Sequence, residues 1–319
     1  MARRILLPCL MSLAIYGLVF GLVLDRPLSL GMFRQQIDAR LARGAGIEAP
    51  KLIIIAGSNG PYSHRCETME PLLGIACVNA GVAVGIGLDY LFARWKPLLR
   101  PGDIVYLPLE EAQYTRTYAA TSLGPDAAIM FRHDRTTLAG LSPERWLGAA
   151  FSFGPRAALM SLIETALVRS GFADPREAAL GSTNAWGDHV GHTAALGQVN
   201  AARLATMMPY HDTAALIASG DGTAMVRDFI VWAARDGVRV VGGLPAGFAD
   251  SPIPDLTRAA IRTVFIQEGA RFIDLGDRYP RSAFFDTPDH LNEAAQIAHS
   301  RVLAAALAVT LAPARAASR

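Results

Sequence analysis

From Lys51 onward the apolar positions fall into short unbroken runs that alternate with longer mixed stretches. Residues 52–56 (LIIIA) make a run of strand length that stops at Gly57-Ser58-Asn59-Gly60. A helical pattern follows to about residue 73, and residues 75–78 form a second strand ending in Asn79-Ala80-Gly81. Residues 86–99 read as a helix, Pro101-Gly102 as a turn and residues 103–109 (DIVYLPL) as a third strand. Further on come helix 224–235, strand 238–244, helix 255–268, strand 271–275 and a last long helix over 291–311. Wholly apolar strands alternating with helices predict an α/β protein. Its central parallel sheet is covered on both faces, making a three-layer α/β/α sandwich over residues 51–312.

Residues 113–222 break that rhythm. They hold one clear apolar helix, 157–168, among Gly-, Pro- and Asn-rich pieces, and are expected to form a cap or groove over one edge of the sheet. The Ala-rich C-terminus completes a helix and leaves a tail at 313–319.

The N-terminal pattern is of another kind. Residues 5–24 (ILLPCLMSLAIYGLVFGLVL) carry no charge over twenty positions. At about 1.5 Å per residue they span about 30 Å, the thickness of a bilayer's hydrocarbon core. Residues 1–25 are thus expected to be a transmembrane signal anchor, with 26–50 a partly helical juxtamembrane linker. Arg3 and Arg4 precede the run and favour a cytoplasmic N-terminus, although Arg26 and Arg34 follow it. No small-x-small cleavage site follows Leu24-Asp25-Arg26-Pro27. The expected location is the inner membrane, single-pass, with the main domain in the periplasm.

Composition narrows the classes. The 319 residues are 51% hydrophobic and 18% charged, with a formal charge of +2. That balance excludes a disordered solvating chain and offers no clustered basic surface for nucleic acid. Of three cysteines, Cys9 lies in the apolar run without a lipobox. Cys66 and Cys77 lie on a predicted helix and the strand it leads into, so they are either a disulfide or two buried thiols.

In an open parallel sheet, ligands sit beyond the carboxyl ends of the strands. Ser58 follows the first strand at a strand-to-helix turn, where its hydroxyl can be exposed and its amide can stabilise an oxyanion. Gly81, after the second strand, offers another amide. After the last strand comes Phe285-Asp286-Thr287-Pro288-Asp289-His290-Leu291-Asn292, a histidine with two acids just before a helix. A serine nucleophile needs a base, and the base needs a carboxylate to set its tautomer. Singly, Ser58 reads as a helix cap and His290 as a loop residue. Jointly they make a candidate triad.

These residues carry a resemblance to the SGNH/GDSL hydrolase superfamily, in its periplasmic branch related to polysaccharide O-acetylation proteins, over roughly residues 51–311. Ala56-Gly57-Ser58-Asn59 matches the first block by its serine, Gly81 the glycine of the second, and His290-Leu291-Asn292 the last. The resemblance implies a flavodoxin-like sheet and a catalytic set of Ser58, His290 and an acid. Thr287 stands where the family's aspartate is usual, leaving Asp286, the preferred choice, or Asp289. The family's Gly-x-Asn-Asp block is absent after the third strand, which runs on as Leu109-Glu110-Glu111-Ala112-Gln113-Tyr114, so Gln113 or Asn184 has to replace its Asn donor. It further implies an O-acetyltransferase or esterase acting on an exported polysaccharide, cellulose preferred, beside a membrane-bound acyltransferase or polysaccharide synthase complex.

Trp186 with Asn184 and Asp188 reads either as a sugar-stacking groove or as part of a packed core. Asp188-His189-x-x-His192 matches no strong metal motif, and Gly81-x-x-x-Gly85-x-Gly87 is not a dinucleotide fingerprint. Neither a metal nor a cofactor is expected. The contrasting expectation is a non-catalytic polysaccharide-binding or scaffold subunit.

Overall fold

The computed structural model describes residues 2–23, 29–152, 154–172 and 182–311. They fall into two compact units, Gln36–Tyr118 with Ser182–Arg319, and Met1–Gln35 with Ala119–Gly181. The expected tail at 313–319 and the anchor's last residues, Leu24 and Asp25, lie outside the described residues.

The larger unit is built on β1 (Lys51–Ile54), β2 (Ala76–Asn79), β3 (Ile104–Leu107), β4 (Arg239–Gly243) and β6 (Arg271–Ile273), a wholly parallel sheet in the order β2-β1-β3-β4-β6. β5 (Gly247–Phe248) and β7 (Asp277–Tyr279) pair separately as a short parallel ribbon. All five predicted strands are present, their ends differing by one or two residues, because the ladder stops where the chain diverges toward the turns. Ile53 and Val105 on one face and Leu52, Ile54, Ile104 and Tyr106 on the other are all buried. That double burial is why the runs are unbroken instead of alternating. The second set packs with Leu303 and Leu307 of helix Glu293–Leu311 and with Cys66 and Met69 of helix Cys66–Leu73. Of the two states open for Cys66 and Cys77, the structure has the disulfide, Cα atoms 5.2 Å apart, tying that helix to β2.

The strand order reverses direction between β1 and β3, since β1 is followed in space by β2 on one side and β3 on the other. The loops at the carboxyl ends of these strands diverge and leave a crevice there. Ser58 follows β1, Gly81 follows β2 and Glu110 follows β3, so the topology alone assembles them.

Two expectations about organisation change. Residues 26–50 are not a plain linker. Ile37 and Leu41, one helical turn apart on helix Ser29–Gly46, are buried. Arg40 donates to the Gly187 carbonyl at 3.2 Å, and Arg43 to the Cys77 carbonyl and Glu70 at 3.1 and 3.0 Å. From Gln36 on, this helix belongs to the sheet unit. The stretch 113–222 is also not one piece. Its 119–181 part groups with the N-terminal residues, whereas 182–222 belongs with the sheet.

Among the described residues two helices are long and apolar enough to cross a membrane, Ala2–Val23 and Glu293–Leu311. The second is a core helix, since its Leu303 and Leu307 close the sheet.

Candidate active site

After β1 the chain turns sharply through Gly57 and Ser58 into helix Asn59–Ser63, closed by Gly60 N–H donating to the Gly57 carbonyl at 3.1 Å. The turn rests directly on the loop after β2. A side chain on Gly81 would stand 2.7 Å from the Gly57 carbonyl oxygen and 2.9 Å from Gly60 Cα, both backbone atoms that cannot swing away. Ser58 sits in helical conformation, and its side chain makes no capping hydrogen bond. The reading of Ser58 as a simple helix cap therefore fails, and its hydroxyl is left for another partner.

That partner is His290. Ser58 Oγ lies 2.8 Å from His290 Nε2, and His290 Nδ1 lies 2.7 Å from Asp286 Oδ1. Two residues separated by 232 positions thus meet at one rim of the sheet. The loop that carries the base folds back on itself: Phe285 N–H donates to the His290 carbonyl at 2.8 Å, and Phe284 bridges Leu291. This folding returns Asp286 to the imidazole. Burial raises the Asp286 carboxyl, but the hydrogen bond and charge of His290, with Arg203 and His189, hold it net below its ordinary value.

Two residues that the sequence did not single out, Ser63 and Tyr62, hold this geometry. Ser63 donates its hydroxyl to the Asp289 carbonyl at 2.6 Å and accepts from the Leu291 amide at 3.2 Å, pinning the histidine loop to the serine helix. Tyr62 stacks on His290 with ring centroids 4.0 Å apart and planes 9° from parallel. Tyr62 also stacks on His189 at 4.1 Å. Burial, aided by the Asp286 charge, pushes the Tyr62 hydroxyl up to about 12, so it stays neutral beside the triad. The i, i+4 spacing of Ser58 and Tyr62, one helical turn apart, is the signal in the sequence that could have found Tyr62.

The proposed oxyanion and substrate residues separate into different roles. Ser58's own amide has no acceptor among the described residues. The Gly81 amide faces Asn79 Oδ1 at 3.4 Å, a long contact. Gln113 keeps its amide donor unspent, since its buried Nε2 has no hydrogen-bond partner. It is buried, and its Oε1 accepts from the Glu110 amide at 3.1 Å in a reciprocal cap of helix Glu111–Thr115. Asn184 is taken at both ends: its Nδ2 donates to Asp188 at 3.2 Å, and its Oδ1 accepts from the Trp186 and Asp188 amides at 3.0 Å each, shaping a turn. Trp186 donates its indole N–H to Glu70 at 2.8 Å and packs on the sheet core with Arg43 over its ring, so it is a packing residue and not a groove platform.

Asp188 is structural as well. Fully buried, it accepts from the Cys66 and Glu67 amides at the start of helix Cys66–Leu73, and from Asn79 and Asn184. Asn79 in turn donates to the Gly60 and His64 carbonyls at 3.0 Å, linking β2 to the serine helix. Burial, with smaller contributions from their neighbours, lowers His189 and His192 to about 4, so both are neutral at ordinary pH. Among the described residues no group of three His, Cys, Asp or Glu side chains could hold a metal ion.

Beside the triad lies a pocket of about 180 Å³, with Glu110, Asp289, His211, Tyr210 and Phe248 among its walls. Glu111 and His211 pair at 2.7 Å at its edge. Burial raises the Glu110 carboxyl to about 7 and that of Asp289 to about 8, the latter also through the Glu110 charge. A carboxyl raised on folding binds its proton more tightly in the native state. Its stabilisation is therefore lost as pH climbs from about 4 to about 8. Asp289→Asn removes this titration, and its thermal midpoint is expected to fall less than the wild type's between about pH 5 and pH 8. Identical pH slopes for the two proteins would refute the assignment.

No protein-family model and no curated protein matches the chain.

Proposed function

We propose that the protein is a membrane-anchored serine O-acyltransferase or esterase of SGNH type, with a three-layer sandwich as its catalytic domain. The observation that carries this reading is the continuous Ser58–His290–Asp286 hydrogen-bond chain, 2.8 and 2.7 Å long, at the switch point of a parallel sheet. Ser58 Oγ attacks the carbonyl carbon of an acetyl ester while His290 Nε2 takes its proton. Asp286 holds the imidazole with Nδ1–H toward itself and stabilises the imidazolium. The Ser58 amide, with Gly81 as second donor, faces the developing oxyanion. His290 then returns the proton to the departing alcohol, leaving acetyl-Ser58. An incoming hydroxyl, deprotonated by His290, takes the acetyl group and frees the serine.

The acceptor is a sugar hydroxyl of an exported polysaccharide, of which cellulose is the preferred class, or water in the esterase case. The proposed location of the domain is the periplasmic side of the inner membrane, a reading supported by the apolar N-terminal helix, and there a membrane-bound acyltransferase or a polysaccharide synthase complex supplies its substrates. Part of the 113–222 region serves as the cap.

A second reading, a non-catalytic polysaccharide-binding or scaffold subunit, is favoured by Asn184, whose Nδ2 is spent on Asp188, and by the burial of Gln113, whose Oε1 is held in a helix cap. The test is acid-quenched incubation with p-nitrophenyl acetate followed by peptide mass spectrometry. An acetyl increment on the Ser58 peptide, discharged faster when cello-oligosaccharide is added, is expected. Absence of that increment, with glycan binding retained, selects the scaffold.

A further inference from the structure

The smaller unit contains a helix that is inside out for a protein surrounded by water. Pro155–Arg169 (PRAALMSLIETALVR) turns Leu159, Met160, Leu162, Ile163 and Leu167 outward, each at least 43% exposed. Thr165 is buried, and Glu164 and Val168 are half-buried. At about 100° per residue the exposed apolar positions sweep an arc of about 160°, with Glu164 and Thr165 on the opposite side. One Glu164 carboxylate oxygen is buried without a hydrogen-bond partner. Burial of apolar area in water drives the reverse arrangement, so a face of this size marks an apolar surrounding.

The same surface continues into the N-terminal helix. Pro155–Arg169 packs against Ala2–Val23. Tyr16 meets Phe151 with ring centroids 5.6 Å apart, and Phe20 meets Phe131 at 5.4 Å. Trp146, Leu147, Phe151 and Phe172, flanking the helix in sequence, are exposed too. If Ala2–Val23 crosses the bilayer, a helix packed beside it sits at membrane depth, and the ring contacts of Tyr16 and Phe20 with Phe151 and Phe131 bring the segments before that helix to its second half.

We infer that Pro155–Arg169 is embedded in the leaflet that holds the C-terminal half of the N-terminal helix, its exposed face against phospholipid acyl chains. At about 1.5 Å per residue its fifteen residues reach about 22 Å, short of the bilayer's ~30 Å, so it dips into the membrane without crossing it. Arg156 and Arg169 stand at its two ends, where long cationic side chains reach the headgroups. Polar groups turned toward protein and apolar groups toward lipid is the pattern that hydrocarbon imposes. The inference rests on the membrane reading of Ala2–Val23 and not on the catalytic one. It makes the attachment a two-helix platform in place of a simple tether.

The test uses the full chain, with Cys9→Ser and the Cys66–Cys77 disulfide intact, in phosphatidylethanolamine/phosphatidylglycerol vesicles. Nitroxide labels are placed on single cysteines at Leu162→Cys, Leu13→Cys in the N-terminal helix and Leu256→Cys on the larger unit. Labels at 162 and 13 are expected to collide with oxygen several-fold more often than with a water-soluble nickel chelate, and the label at 256 the reverse. A lipid-exposed label at 13 with a nickel-accessible one at 162 overturns the inference while leaving the anchor intact. A label at 162 shielded from both reagents overturns it too, pointing to a second copy or another protein as the cover. Nickel access at 13 removes the anchor and the inference together.

Discussion

Replacing Ser58 by alanine is expected to lower p-nitrophenyl acetate hydrolysis by about 10³-fold or more. In the proposed mechanism this hydroxyl forms the acyl intermediate, and it lies 2.8 Å from His290 Nε2. The fold is expected to be unchanged, because the hydroxyl caps no helix and the turn is set by the close approach of Gly57, Gly60 and Gly81. His290→Ala is expected to cost about as much, and the double variant little more than either, since groups that act as one unit are strongly non-additive. Steady-state rates with matched thermal melts check this, and equal rates for wild type and Ser58→Ala would remove the nucleophile.

Asp286→Asn is expected to reduce kcat by about 10²–10⁴-fold with little change in KM. An amide in place of the carboxylate can donate to Nδ1, which turns the Nε2–H toward Ser58 and leaves no lone pair to take the serine proton. The Asp286 side chain is 30% exposed, so water replaces part of its charge and the loss is expected toward the lower end of that range. Asp289→Asn separates the two acids. The Asp289 contact with Ser63 uses its backbone carbonyl, which the substitution keeps, so the kcat loss is expected at position 286 and not at 289. The opposite ranking of the two variants would reassign the acid.

Much of the fold could be read along the chain because both faces of the sheet are covered. A strand such as Ile104–Leu107, buried on both sides, is apolar throughout, and that pattern survives in one dimension. Ser58, Gly81 and His290 were legible for a related reason: strand ends are visible, and ligands gather beyond them. The acid was legible only as a choice between Asp286 and Asp289, because a single loop's folding decides which carboxyl reaches the imidazole.

Other features had no one-dimensional signature. Asn184 has the residue type of an amide donor, yet it spends its side chain on a local turn, and Gln113 commits its Oε1 to a helix cap, a competition that residue type alone does not reveal. Trp186 is drawn into the core by Glu70 and Arg43, which lie 116 and 143 positions away. The helix over 36–46 looked like a linker because only two of its residues, Ile37 and Leu41, are the apolar ones it buries, while Arg40 and Arg43 dock it through polar contacts.

By itself, then, the chain determined its α/β class, the positions of the five strands of the main sheet, the apolar N-terminal helix, and the candidates for a nucleophile and a base. These follow from local periodicity and from residue chemistry, which neighbouring positions already express. The tertiary structure alone decided that Ser58 and His290 touch, that Asp286 is the acid on the imidazole, that Tyr62 and Ser63 hold the base, and that Pro155–Arg169 faces outward with its apolar side. Each of those depends on which distant segments share a volume, and only the folded chain closes the loops that bring them together.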